Sequence, residues 1–338
     1  MMIRIPAPLL YLAAAALLTG SANAVELDGL DERHPGAAEF VATVSEEHDL
    51  DPVWVAGLLA DAERKDSIIR AMKRPAEKAK PWHEYRKIFM TADRVAGGKR
   101  FMAEHAALLA QLEDEFGVPP EMVTAIIGVE TKYGAITGSF RVIDALATLS
   151  FHYPPRAKFF RGELESLLLL ANEERLAIDE VKGSYAGAMG IGQFIPSSYR
   201  AYAVDFDGDG QRDLWGSPDD AIASVANYFA EHRWARGQPV TVRASVSDGA
   251  RALSDLPIKP QYPADQLAEW GYTPAAPTMT DSLTTVIELE GVAGPEYWIG
   301  YDNFYVITRY NRSRLYAMAV YQLSEALAGR TDVDTHAP

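Results

Sequence analysis

The side chain with the most chemical consequence in this sequence is Glu130. Val123, Ile126 and Ile127 mark out an apolar helix face at i, i+3 and i+4, and Glu130 falls on that face at i+7. A carboxyl turned inward has its charged form disfavoured by desolvation, and a raised pKa lets a Glu donate a proton near neutral pH. General acid catalysis asks for such a group. The same position also suits a Glu that pairs with a nearby cation, Lys132 or Arg141, and serves structure alone.

Two loops carry the other chemical signals. Between Gly183 and Tyr199, the glycines 183, 187, 190 and 192 let backbone approach a ligand closely, with Ser184 and Gln193 placed to hydrogen-bond it. The glycine order fails the G-x-G-x-x-G fingerprint, and neither a preceding strand nor a phosphate-loop lysine accompanies it. A tight packing loop would use glycine in the same way. From Asp205, carboxylates recur at positions 1, 3, 5 and 9 of an EF-hand-type loop (Asp205, Asp207, Asp209, Asp213), with Gly210 at position 6 and the Gln211 carbonyl at 7. Hard cations need this density of oxygen ligands, so the loop points to a structural calcium ion rather than a solvated acidic turn. Position 12 is Gly216 instead of a bidentate Glu, and Asp220, after a longer loop, is the carboxylate available to close the site.

Tyr85, Tyr133, Tyr199, Tyr228, Tyr310 and Tyr316 sit near these motifs in sequence. Tyrosine offers a sugar a flat apolar face with a polar rim, although most tyrosines simply pack. The seven histidines show no H-E-x-x-H spacing and there is no G-x-S-x-G elbow, so metalloprotease and serine-hydrolase chemistry have no support. No organic cofactor is indicated. The 338 residues contain no cysteine, which excludes thiol catalysis, disulfides and lipid attachment through cysteine within them.

The elements that must position these groups are mainly helical. From Pro35 to Phe116 the pattern is that of scaffold helices, with starts at Asp51-Pro52 and Asp66. Gly117 ends one helix and Pro119-Pro120 opens the next, running towards Gly134; further helices are predicted over 144–149 and 159–174. Ser217-Pro218 caps another, with Ile222, Val225, Ala226 and Phe229 on its buried face. After Trp234 the texture changes. Val240 to Val246 alternates, prolines punctuate 257–277, and 283–289 is rich in Thr, Val and Ile, which together predict a small β-rich unit. Asn303 to Tyr310 is predicted as one further strand, and Ser313 as the cap of a final amphipathic helix. The fold class is therefore mainly α, α+β. It divides into a helical flanking domain (25–118, completed by a C-terminal helix over 312–330), a core (119–235, with the acidic loop at 205–220), a β-rich domain (236–311) and a frayed tail (331–338).

Residues 1–24 have the form of a cleaved secretory signal: Arg4, an apolar run from Ala7 to Thr19, and Ala22-Asn23-Ala24 before the cut. The run is shorter than the roughly 20 residues that span a bilayer, which predicts a soluble exported product. Hydrophobic residues at 48% and charged residues at 23% are those of a folded globular chain. The net charge of −15, with no long basic run, excludes nucleic acid as a partner and argues against simple electrostatic capture of an anionic polymer.

Together, Gly128-Val-Glu130-Thr-Lys-Tyr-Gly134, Ala145-Leu-Ala-Thr-Leu-Ser-Phe151, Gly183-Ser-Tyr-Ala-Gly-Ala-Met-Gly190, Gln193-Phe194, Pro196-Ser-Ser198, Ser224-Val-Ala-Asn-Tyr-Phe229 and Asn303-Phe-Tyr-Val-Ile-Thr-Arg-Tyr-Asn311 resemble the B-type lytic murein transglycosylases. The resemblance covers most of the chain after residue 24. It implies a lysozyme-like catalytic core between the two flanking domains, and Glu130 as the single catalytic acid and base. Ser184, Gln193, Tyr228, Tyr310, Asn311 and Tyr316 would then hold sugar or orient the acid, joined by Tyr85 and Arg156. The calcium ligands would be Asp205, Asp207, Asp209, Gln211 and Asp220.

The implied partner is the peptidoglycan glycan strand, cleaved between N-acetylmuramic acid and N-acetylglucosamine to leave a 1,6-anhydro end. The implied setting is the periplasm, as a soluble monomer that could meet cell-wall synthesis or remodelling proteins. Where members of the family carry paired arginines beside the cleft, this chain has Pro155-Arg156. Two alternatives stay open. A hydrolytic muramidase of the same fold would need a second carboxylate, with Asp144 the first to test, and a non-catalytic, calcium-stabilised wall-binding protein would need no catalyst at all.

Overall fold

The computed structural model describes residues 29–73, 80–253, 256–276 and 282–331. The export signal read at 1–24 and nearly all of the tail lie outside them. The chain divides into two compact units after Asp61. In the first, α1 (Leu30–Arg33), α2 (Ala37–His48) and α3 (Pro52–Asp61) pack pairwise over Val41, Val44, Val55 and Leu59. Asp51 starts α3 as its sequence suggests: Oδ1 accepts the Val53 amide at 2.9 Å, and Pro52 takes the first turn.

The second unit begins with α4 (Asp66–Met72), α5 (Trp82–Phe89), α6 (Ala92–Glu104) and α7 (Ala106–Phe116). Asp66 is not the cap of α4 but its first helical residue, and it pairs with Arg64 at 2.9 Å. The approach to this helix is set instead by tertiary bonds: Asp144 Oδ1 accepts the Glu63 amide and Thr148 Oγ1 the Lys65 amide, each at 2.9 Å. Next come α8 (Pro120–Thr131), α9 (Val142–His152), a 3-10 turn at Pro154–Arg156, α10 (Ala157–Glu174), α11 (Pro196–Tyr202) and α12 (Pro218–Glu231). A short antiparallel pair, β1 (Phe140–Arg141) with β2 (Lys182–Gly183), fastens the entry to the Gly-rich loop.

Helices α8 and α9 form the middle of the core. Every residue from Met122 to Val129, and from Val142 to Phe151, is buried, so neither helix has a polar face to give to solvent. Helix α8 is covered by α6, α7, α12 and the last helix, α15 (Arg314–Leu327). Ser313 caps α15 as predicted, its hydroxyl accepting the Tyr316 amide at 3.2 Å.

The β-rich segment is a five-stranded antiparallel sheet in the order β4-β6-β7-β3-β5, formed by β3 (Thr241–Val246), β4 (Tyr262–Pro263), β5 (Tyr272–Pro274), β6 (Leu283–Gly291) and β7 (Gly294–Gly300). With α13 (Ala264–Glu269) it encloses Leu267, Tyr272, Val286, Ile299 and Tyr301. The expected strand at 303–310 is a helix, α14 (Asp302–Tyr310). Its aromatic and β-branched content suggests a strand, but Asn303, Phe304, Val306 and Ile307 are buried at helical spacing. Asn303 sets the start, donating to the Ala235 and Gln238 carbonyls and accepting the Ala235 amide at 2.8–2.9 Å. The sequence boundary at 118 is not a division in the structure: α5 packs on α15 and β6, and α6 on α8, within one compact unit.

The end of α8 is shaped by Tyr133. Lys132, Tyr133 and Gly134 all have positive φ, which turns the Tyr133 ring back against Gly97, Gly98 and Gly128, and its hydroxyl donates to the Arg94 carbonyl at 2.8 Å. A Cβ on Gly128 would lie 2.7 Å from that ring. Gly128→Ala is expected to lower stability by about 1–3 kcal/mol through overpacking, while Gly162→Ala, with open space around it, should be near neutral; thermal melts of the two variants check this.

Candidate active site

Glu130 lies in the last turn of α8, half-buried where the apolar face meets the surface. The Tyr316 hydroxyl, on α15, donates to Glu130 Oε1 at 2.5 Å. The two are 186 positions apart, and α8 packing along α15 brings them together. Burial pushes the Tyr316 phenol well above its ordinary pKa, and the charges of Glu130 and Tyr310 push it further; it stays protonated as a donor at any physiological pH. Tyr310 is pushed up in the same way, by burial and then by Glu130. Tyr85 is buried close enough to act on Tyr316 electrostatically.

The Gly-rich loop is bound to this helix end at several points. Thr131, next to the carboxylate, donates through its hydroxyl to the Ile191 carbonyl at 2.8 Å and accepts the Gly134 amide at 3.0 Å. Tyr310 donates to the Gly192 carbonyl at 2.5 Å. Gln193 Nε2 donates to the Gly190 and Thr137 carbonyls at 2.9 and 3.0 Å, so its side chain pins the loop. Ser184 Oγ accepts the Ala186 and Ala188 amides at 3.2 and 3.1 Å and holds the preceding turn.

Tyr228 is buried behind this wall. It donates to the Arg309 carbonyl at 2.7 Å, stacks on His232 and lies 4.7 Å, centroid to centroid, from Tyr310. Asn311 ends α14 in extended backbone beside Tyr310. Arg156 belongs to another neighbourhood. It is exposed on the 3-10 turn with its guanidinium 4.3 Å from the Phe159 ring centre, along a groove of about 690 Å³ that includes Glu163 and Ser197.

The acidic loop has the geometry its spacing suggests. Asp205, Asp207 and Asp209 bring carboxylate oxygens within 4.8 Å of one another, and Asp205 accepts the Gly208, Asp209 and Gly210 amides at 2.8–3.1 Å. That donor set, hard and anionic, fits calcium. Gln211 is exposed in the same turn. Asp220 is fully buried and accepts backbone amides of the loop, Oδ1 from Phe206 and Asp207, and Oδ2 from Asp213 at 2.8 Å. Burial pushes its carboxyl up, and those amides pull it back.

The acidic loop also braces the Gly-rich one. The Leu214 carbonyl accepts the Ile191 amide at 2.8 Å, and residue 190, at φ 71°, fits only as glycine, because a Cβ there would meet Leu214 at 2.6 Å.

Sequence reasoning passed over Thr131 and Glu163. Thr131 stands inside the Glu130 motif with no feature that separates it from an ordinary helix-end residue. Glu163 reads as a surface acid yet is buried, accepting the Ser197 amide and hydroxyl at 3.0 and 2.8 Å at the start of α11.

Residues 32–325 match the transglycosylase SLT domain, and the chain belongs to that family: it is a lytic transglycosylase that cleaves peptidoglycan. Among proteins it is similar to is membrane-bound lytic murein transglycosylase B of Escherichia coli (strain K12), 43% identical over 321 residues, 92% of this chain and 88% of the relative. The solved soluble lytic transglycosylase SltB1 of Pseudomonas aeruginosa, in a catenated form, superposes with a TM-score of 0.82 at 48% identity, covering 88% of this chain and 98% of that one. Escherichia coli Slt35, solved in complex with calcium, gives 0.80 at 44% identity, with coverage of 89% and 95%. The expected lysozyme-like fold is that of these neighbours. No helix among the described residues is long and apolar enough to cross a membrane.

Removing Asp220 would leave three loop amides without their buried acceptor. Asp220→Ala is expected to cost roughly 2–4 kcal/mol, read as a fall in Tm, with Asp219→Ala, at an exposed position, leaving Tm within about 1 °C of the parent.

Proposed function

We propose that Glu130 is the sole acid and base of the reaction, and that the chain opens the bond between N-acetylmuramic acid and N-acetylglucosamine with formation of a 1,6-anhydro end. The observation that carries this reading is the Tyr316–Glu130 hydrogen bond at the half-buried end of α8, where the neighbouring Thr131 ties the Gly-rich loop to the same turn. Tyr316 fixes the carboxyl's orientation. Glu130 first gives its proton to the glycosidic oxygen, while the muramic N-acetyl group stabilises the positive anomeric carbon. As a carboxylate it then takes the proton of the sugar's own 6-hydroxyl, which closes onto that carbon. An acceptor held within the same ring outcompetes water by proximity.

Most glycosidases flank the bond with two carboxylates. Asp144, the residue a hydrolytic partner would draw on, is buried, accepts the Glu63 amide and pairs with Lys65 and Arg141 at 3.8 Å. Those bonds commit it to structure, which favours the intramolecular acceptor. Gln193, Ser184, Tyr310 and Asn311 form the rim along which the strand lies, with Tyr85 and Tyr228 supporting it from behind and Arg156 further along. Glu130→Gln is expected to lower activity on the order of 10²- to 10⁴-fold. Mass spectrometry of the parent digest should show products lighter by one water than hydrolysed muropeptides; hydrolysed ends from the parent would defeat the anhydro mechanism.

Calcium, in this reading, is held by Asp205, Asp207, Asp209 and the Gln211 carbonyl, with Asp220 shaping the loop or completing the shell. Bound there, the ion neutralises clustered carboxylates and stiffens the loop that carries Leu214. Chelation should lower Tm on the order of 5 °C, restored by calcium, and an unchanged melting curve would count against the ion. The protein acts as a soluble periplasmic enzyme exported by residues 1–24.

A further inference from the structure

Away from Glu130, a groove gathers three cations. It has a volume of about 390 Å³ and is lined by Ile258, Lys259, Tyr305, Thr308, Arg309 and Arg312. Its two walls come from distant parts of the chain. Arg309 and Arg312 follow from the end of α14, on either side of Tyr310–Asn311. Lys259 comes from the segment that enters the sheet, held by Thr285 Oγ1 donating to the Pro257 carbonyl at 2.7 Å, Arg314 donating to the Leu256 carbonyl at 2.5 Å, and the Gln261 amide donating to Thr284 at 3.0 Å. The groove therefore has a fixed backbone on both sides.

No ion pair or side-chain hydrogen bond to a carboxylate is made by Lys259, Arg309 or Arg312 among the described residues. This is notable in a chain of net charge −15, where Arg141, Arg200, Arg212, Arg243 and Arg330 all have acidic partners. Cations favour the C-terminal end of a helix, and that accounts for Arg309 on its own. It does not account for Lys259, which arrives from another segment, or for Arg312 beyond the helix end. Three like charges around one groove repel unless an anion joins them. The groove also lies close to the cleft wall: Tyr228, which packs against Tyr310, donates to the Arg309 carbonyl at 2.7 Å, and while burial pushes its phenol pKa up, the charges of Arg309 and Arg312 act against that rise.

We propose that this groove receives a carboxylate of the peptide stem carried by the glycan strand. The proposal rests on the reading of Glu130 as the cleaving residue. A murein strand bears stems on its muramic residues, so a strand with one bond at Glu130 must lay a stem along the rim of the cleft. The anionic groups of those stems are carboxylates, which guanidinium forks bind bidentately. The volume lies within the range of pockets that take small ligands. The net charge of −15 works against capture of an anionic strand at long range, so that a local cationic groove selects the register in which stems face it.

The test compares two substrates: purified peptidoglycan, and the same strands stripped of stem peptides by an amidase. The Arg309→Ala/Arg312→Ala double variant should lose on the order of tenfold in rate on the stem-bearing strands and match the parent on stripped ones. The charge-keeping Arg309→Lys/Arg312→Lys variant should retain most of the difference, and its melting curve controls for folding. An unchanged ratio between substrates, or an equal fall on both, would overturn the proposal. A parent that released no anhydro ends from either substrate would instead remove the reading of Glu130, and this inference with it.

Discussion

A carboxyl group has to stand at the end of a helix that is buried along nearly its whole length, and the rest of this structure follows from that demand. Helix α8 can be buried from Met122 to Val129 only if other helices cover it on every side. One of those, α15, brings the Tyr316 hydroxyl to Glu130. A desolvated carboxyl without a donor would cost several kcal/mol; the phenol offsets part of that cost and fixes the rotamer. The turn after Thr131 cannot continue the helix, since the next three residues are left-handed. The Tyr133 ring takes the space that three glycines leave open.

The loops around this point are held by backbone polar groups rather than by apolar contact alone. Thr131, Tyr310 and Gln193 each bond a carbonyl of the Gly-rich loop, so the segment that would lie against a sugar is rigid although it has no regular structure. The acidic loop serves the same end by another route. Its carboxylates collect amides, Asp220 from within and Asp205 from the outside, and Leu214 passes the resulting order to Ile191. A divalent cation on the exposed side would offset the mutual repulsion of the three clustered carboxylates.

Charge is distributed in keeping with an acidic enzyme whose polymer substrate is also acidic. Long-range attraction is unavailable, so recognition has to come from short-range contacts: aromatic and polar groups along the cleft, and cations gathered at a few places. Where the resemblance leads one to expect two adjacent arginines, Pro155 supplies none, and Arg156 stacks on Phe159 instead.

Much of this was legible in the sequence because it is local. Glu130 on an apolar face, the spacing of the acidic loop, the caps at Ser217 and Ser313 and the strand at 283–289 all depend on neighbours within a few residues. What sequence alone misjudged or could not see depends on partners far along the chain. Asn303 to Tyr310 has strand-like composition, yet Asn303 bonds across to Ala235 and the segment winds into a helix. Asp144 looked available for chemistry, but residues 63–65 fold onto it. The Tyr316–Glu130 pair and the groove of Lys259, Arg309 and Arg312 unite side chains that no periodicity links. Local steric and capping preferences choose an element; burial and long-range hydrogen bonding decide what each element faces.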